Sequence, residues 1–155
     1  MPGYGVRGPT EGTGLLPWSW ATERLTASHD YWLATTWPDG RPHAMPVWGV
    51  WFDDAVWFSS SLRSRKALNL MADPRCVVTT DDALEPVVVD GTAARITDRA
   101  TIQAFADRVN AKYQTSYGLD FFDPEVNACY RVAPNWVFGL TESDFDGSPT
   151  RWTFG

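Results

Sequence analysis

The 155-residue chain has only two cysteines and two histidines. Cys76 and Cys129 each lie in an apolar, strand-like run (CVVTT and ACYRV), and neither belongs to a Cys-x-x-Cys pair. They read as buried free thiols rather than as a disulfide or redox couple. His29 and His43 do not complete a metal set with them, so no metal centre is expected. Excess positive charge is also missing: the formal net charge is −6, which disfavours nucleic acid and anionic membranes as partners. No apolar run approaches the ~20 residues a spanning helix needs. The first residues, MPGYGVRGPTEGTG, lack the basic and apolar regions of a secretion signal, so the expected location is the cytoplasm. Hydrolytic machinery is absent as well. There is no Gly-x-Ser-x-Gly and no Cys–His arrangement, and the carboxylates gather in turns (Asp53-Asp54, Asp81-Asp82, Asp120, Asp123) where they serve as turn formers. No repeat, low-complexity segment or linker divides the chain. One domain over residues 15–155 is expected, behind a flexible Gly- and Pro-rich arm at 1–14.

What is present is aromatic and apolar. Hydrophobic residues make up 44% of the chain and aromatics 14%, with nine tryptophans, which is the composition of a packed globule. Strands are expected at Asp30–Thr36, Arg41–Phe52, Ala55–Ser60, Arg75–Thr80, Glu85–Ile96 and Ala128–Phe138, and a last short one near Arg151–Phe154. Pro42 and Pro46 mark the second strand as an edge or a bulge, and Pro134 interrupts the sixth. The Val87–Val89 run is apolar on both faces, as in a central strand or a subunit interface. Helices are expected over Leu15–Ala27, from Ser64 to about Asp73 with Pro74 as the stop, and from Asp98 to about Tyr117. The fold class is therefore mainly β with flanking α: a six- to seven-stranded antiparallel barrel with two to three helices.

The stretch Ala55–Met71, AVWFSSSLRSRKALNLM, carries the clearest chemistry. A strand runs through three serines into Arg63, Ser64, Arg65 and Lys66, at the N-terminus of a helix whose Ala67, Leu68, Leu70 and Met71 can face a core. Free backbone N–H groups, the positive end of the helix dipole, hydroxyls and three cations converge there, as a phosphate site requires. Trp48, Trp51 and Trp57 lie on the neighbouring strands. Flat aromatic walls beside a phosphate clamp suit a planar phosphorylated cofactor, which would carry the redox chemistry itself. That fits the missing catalytic constellation.

Tyr31–Asp98 resembles the pyridoxamine 5′-phosphate oxidase-like split-barrel superfamily, whose members bind flavin or deazaflavin. The resemblance rests on ATTWPDGRPHAMPVWGVWFDD, on AVWFSSSLRSRKALNLMADPRCVV, on VVVDGTAARITD and on YRVAPNWVFGL at Tyr130–Leu140. The most specific step is Ser64–Ala67, with Asn69 and the closing Asp73-Pro74-Arg75. The resemblance implies that Arg65 and Lys66 hold the cofactor phosphate, assisted by Arg63 and Ser64, with Ser59 and Ser60 at the strand end. It implies that the backbone of Ala44–Val50, centred on Pro46, Val47 and Trp48, runs along the cofactor ring. It also implies a homodimer with cofactor sites at the subunit interface, Trp136 approaching from the second subunit, and a small-molecule substrate. The C-terminal Thr150-Arg151-Trp152-Thr153-Phe154 has no histidine where pyridoxamine phosphate oxidases carry Arg-x-His, which argues against that activity. The Pro-Val-Trp strand and the Arg-Trp-x-Phe ending resemble instead the actinobacterial branch that uses coenzyme F-420 for hydride transfer to conjugated or unsaturated compounds. FMN on the same fold, or a non-catalytic carrier, are the alternatives. His43 and Tyr31 are the candidate proton donors.

Overall fold

The computed structural model describes residues 7–8 and 10–154. Its elements are α1 (Trp18–Ala27), β1 (Asp30–Thr36), β2 (Pro42–Phe52), β3 (Ala55–Ser61), α2 (Arg65–Ala72), β4 (Arg75–Thr80), β5 (Val87–Ile96), α3 (Arg99–Tyr113), β6 (Asn127–Gly139) and β7 (Thr150–Thr153), with a short 3-10 turn at Glu142–Asp144. The strands follow the order β3-β2-β1-β4-β5-β6-β7, and a further β3–β6 pairing closes the first six into an antiparallel barrel. β7 adds to the outer edge of β6.

The prolines of β2 act where an edge allows them. Pro42 through Trp48 pair with β1 alone, and β2 meets β3 only over Gly49–Phe52. Beyond Gly49↔Phe58 the two strands part, and β3 continues to Ser61 paired with β6. The barrel is therefore split between the first half of β2 and the last residues of β3. Met45 records the split: it shares the inward face with Leu33, its cross-strand partner, yet is 45% exposed. Gly49 marks the parting point. A Cβ there would stand 2.7 Å from the Trp57 carbonyl oxygen and 3.1 Å from the Tyr31 ring, so only glycine lets the strands come this close.

One core fills the barrel, with Tyr31, Leu33, Val56, Phe58, Val78, Val89 and Val132 at its centre. A second forms where α3 packs Ile102, Phe105 and Val109 against Val50, Trp57, Phe122 and Cys129. Cys76 and Cys129 are free and buried, and burial pushes both thiols up to about 12, as expected of inert core residues.

Several details differ from the sequence reading, among them the start of α1 at Trp18. β5 begins at Val87, because Pro86 has no N–H to donate to a ladder. α3 ends at Tyr113, where Gln114 takes a left-handed cap conformation at φ 53°. The buried face of α2 is Ala67, Asn69 and Leu70, while Leu68 and Met71 are exposed at 37% and 57%. Part of the expected arm, residues 1–6 and 9, falls outside the described residues. No helix among the described residues is long and apolar enough to cross a membrane.

Candidate functional site

The split in the barrel is where the basic stretch sits. Ser64 caps α2: its Oγ accepts the Ala67 N–H at 3.3 Å and lies 2.8 Å from the Ser60 Oγ, tying helix start to strand end. The intervening loop is fixed through its backbone. Ser64 N–H donates to the Ser61 carbonyl at 2.9 Å and Leu62 N–H to the Val126 carbonyl at 3.0 Å. The amides of Arg65 and Lys66, in the first turn of α2, have no hydrogen-bond partner among the described residues. None of Arg63, Arg65 and Lys66 forms an ion pair there. In a chain of net charge −6, three unneutralised cations beside two free amides concentrate positive charge and unused donors at one place, an arrangement whose chemistry suits an anion. Burial lowers the Lys66 amine below the usual lysine range, a cost that a bound anion would offset.

Trp37 is the residue that sequence reasoning missed. In the turn between β1 and β2, where its carbonyl accepts the Gly40 N–H at 2.8 Å, it lies under the Arg65 guanidinium at 3.7 Å from ring centre, and the Arg41 guanidinium stands 4.5 Å from the same ring. The stack holds Arg65 in one place without spending its charge on a carboxylate. Nothing in the local sequence marks this contact, since it depends on α2 docking beside the β1–β2 turn.

Asn69 is fully buried between α2 and β1. Its Nδ2 donates to the Thr35 Oγ1 at 3.0 Å, while its Oδ1 has no partner. His43, opposite Thr35 in register, brings its Nδ1 within 3.4 Å of the same hydroxyl. His43 is thus half-buried at the split and linked through Thr35 to Asn69 of α2. Tyr31, the other candidate proton donor, is placed differently. It is completely buried, its hydroxyl donates to the Leu25 carbonyl, and burial pushes its pKa up. A phenol so committed is closed to a ligand, and Tyr31 is corrected to a core residue.

The β2 residues divide by face. Val47 turns its side chain into the core opposite Tyr31, so only its backbone faces the split strand edge. Pro46 and Trp48 are exposed on the outer face. Trp48 stacks on Tyr113 at 4.3 Å and 4° between planes, and the Tyr113 hydroxyl accepts the Gly49 N–H at 2.9 Å. Ser59 is half-buried and Ser60 buried at the end of β3. Trp136 is not brought to this group. It pairs with Asp90 and Thr153 under the Arg151 guanidinium, 4.8 Å from ring centre. Ser59 pairs with Cys129, seven residues earlier on β6, or roughly 23 Å away along the strand.

The model of the pyridoxamine 5′-phosphate oxidase family matches residues 21–138, which run from α1 to the end of β6 and include the basic stretch Arg63–Lys66. The chain belongs to this family. Solved structures agree on the fold. A protein titled F420 reductase is 22% identical with a TM-score of 0.61, over 74% of this chain and 93% of its own. A conserved hypothetical protein from Mycobacterium tuberculosis is 20% identical with a TM-score of 0.75, over 88% and 89%. An FAD-binding protein from Mesorhizobium loti is 24% identical with a TM-score of 0.62, over 79% and 90%. A search of curated proteins finds no match. Among the described residues no cluster of metal-ligating side chains occurs.

Proposed function

We infer that this member of the pyridoxamine 5′-phosphate oxidase family is an oxidoreductase dependent on coenzyme F-420, reducing a conjugated or unsaturated small molecule. The observation that carries this reading is the clamp: Arg63, Arg65 and Lys66 without carboxylate partners, around the free amides that open α2. These groups fit a phosphate in charge and in donor number. Lys66 and the two amides would hold it, Arg65 would meet it from the Trp37 stack, and the half-buried Ser59 would line the approach. The unpaired edge of β2 from Pro42 to Trp48 offers backbone groups to a flat ring beside the clamp. When bound, the reduced deazaflavin supplies a hydride to an electron-poor double bond. The side chain near the split able to hold a proton is His43, steadied by Thr35.

The outer face of the barrel supports a homodimer. Trp32, Thr79, Val88 and Phe138 lie in register across β1, β4, β5 and β6 on that face, and Trp32 is 50% exposed. A second copy packed there would cover these side chains, and it is the only source from which Trp136 reaches a clamp too distant in its own chain.

Equilibrium titration of the apo protein with F-420 and FMN in parallel tests the cofactor. Saturable F-420 binding well below the FMN concentration required is expected; a yellow protein with a flavin spectrum would assign FMN instead. Lys66→Ala should weaken F-420 binding at least tenfold, since one charge-assisted contact is worth about 1.5–3 kcal/mol. Unchanged affinity would remove Lys66 from the phosphate site.

A further inference from the structure

The chain has only two lysines, Lys66 and Lys112. Both are half-buried, and neither has a carboxylate within 4 Å among the described residues. Lys66 serves the clamp. Lys112 lies in a separate groove of about 430 Å³ between α1, α3 and the second half of β2, lined by Thr26, Val50, Trp51, Arg108, Ala111 and Lys112. It shares no residue with the clamp.

We propose that this groove binds a small aromatic carboxylate, its ring against Trp51 and its carboxylate between Lys112 and Arg108. The two cations are four residues apart on α3 and so project from one side of the helix. Lys112 spends one Nζ donor on the Gly49 carbonyl at 2.7 Å and keeps two. Arg108 gives one N–H to the Ala104 carbonyl at 2.8 Å and lies 4.2 Å over the Phe52 ring, which fixes its plane. Trp51 is partly exposed and held edge-on by Trp18 at 6.2 Å, a rigid wall beside the buried Val50.

The groove suits a monoanion rather than a phosphate. It has two cations and no free helix amides, and the Thr26 hydroxyl is already spent on the Thr22 carbonyl at 2.7 Å. The acids that face Lys112 are engaged elsewhere: Asp30 with His29 at 3.1 Å, and Asp81 with the Ser28 hydroxyl at 2.8 Å. The Tyr31 and Tyr113 rings complete its surroundings at 4.8 and 5.2 Å. Burial holds the amine down to about 8 against the pull of Asp30 and Asp81, and a carboxylate seated beside it would raise that value.

Titration with the fluorescent probe 2-aminobenzoate tests the assignment. Wild-type protein should bind it saturably, with inorganic phosphate competing at least tenfold more weakly. Lys112→Met should lose at least tenfold in affinity. Arg108→Gln, at an exposed position, should lose severalfold with the fold intact. NMR of the two lysine side chains should show the Lys112 pKa rising on saturation. Lys66→Ala should leave 2-aminobenzoate binding unchanged, which separates this site from the clamp and from the cofactor reading. Wild-type affinity in both groove variants, equal competition by phosphate, an unmoved Lys112 pKa, or loss of binding in Lys66→Ala would each overturn the proposal.

Discussion

At the scale of single residues, the proposed clamp is marked by charge left unspent. Five arginines elsewhere in the described structure are paired with carboxylates, Arg75 with Asp73 at 2.6 Å among them, whereas Arg63, Arg65 and Lys66 are not. An unpaired arginine needs another device to hold it, and for Arg65 that device is the Trp37 ring. Trp37→Leu should therefore free Arg65 and weaken binding of the phosphorylated cofactor two- to fivefold, as expected from ~0.5–1 kcal/mol for a stack near the surface. Trp37→Phe should restore most of the loss. Equal affinities of all three proteins would show that the stack does not position Arg65. The strand-to-helix junction and its run of cations were legible in the sequence because Ser-x-Arg-Ser-Arg-Lys has local meaning, with Ser64 as the cap the structure shows. Trp37 was not, because its role depends on two segments that meet only in the folded barrel. Tyr31 was misread for a related reason: a tyrosine in a strand gives no local sign of which face it takes, and this one faces the centre of the barrel.

At the scale of elements, the strand-to-helix step at Ser60–Ala67 is held by capping, and the C-terminal end of α3 by polar contacts to one glycine. Ser64→Ala removes the cap on the Ala67 N–H and the partner of the Ser60 hydroxyl, and should destabilise the protein by about 1 kcal/mol. Chemical denaturation of the variant at constant slope measures that loss directly. α3 ends on β2 through Tyr113 and Lys112, both bonded to Gly49. Burial holds the Lys112 amine at about 8 in the folded state, against about 10.4 unfolded. Between those values the unfolded chain binds more protons, so this group makes stability rise with pH. Lys66, also lowered by burial, acts in the same direction. The Cys76 and Cys129 thiols, raised to about 12, act the opposite way above roughly pH 8.5, as does Tyr113 above roughly pH 10. Two thiols outweigh one amine once they titrate in the unfolded chain, so stability should rise only up to about pH 8 and fall beyond about pH 8.5. Lys112→Met should flatten that rise in the urea midpoint, and an unchanged slope would mean that the amine is not desolvated.

At the scale of the whole molecule, the positions of the strands were legible to within a few residues, because alternation and turn chemistry are local, whereas their order and the β3–β6 pairing that closes the barrel depend on distant segments meeting. The split was signalled by Pro42 and Pro46, which cannot donate to a ladder, and β2 has a single neighbour over that half. Less legible was which apolar residues face outward. Val87–Val89 read as apolar on both faces, and the fold resolves the run: Val87 and Val89 fill the barrel while Val88 turns outward, in line with Trp32, Thr79 and Phe138. A monomer would leave this face in water. If a second copy covers it, charge placed at its centre should prevent association. Trp32→Lys combined with Val88→Lys keeps both side chains outside the core, so the barrel should fold while the dimer dissociates. Light scattering after size exclusion should give one chain mass for the variant and two for the wild type. The same variant bears on the clamp, because Trp136 lies far from Ser59 within one chain. Should the partner complete the site, the monomeric variant loses cofactor affinity although Arg65 and Lys66 are untouched. Should the clamp be complete within one chain, the variant binds cofactor as the wild type does and Trp136 has no part in the site.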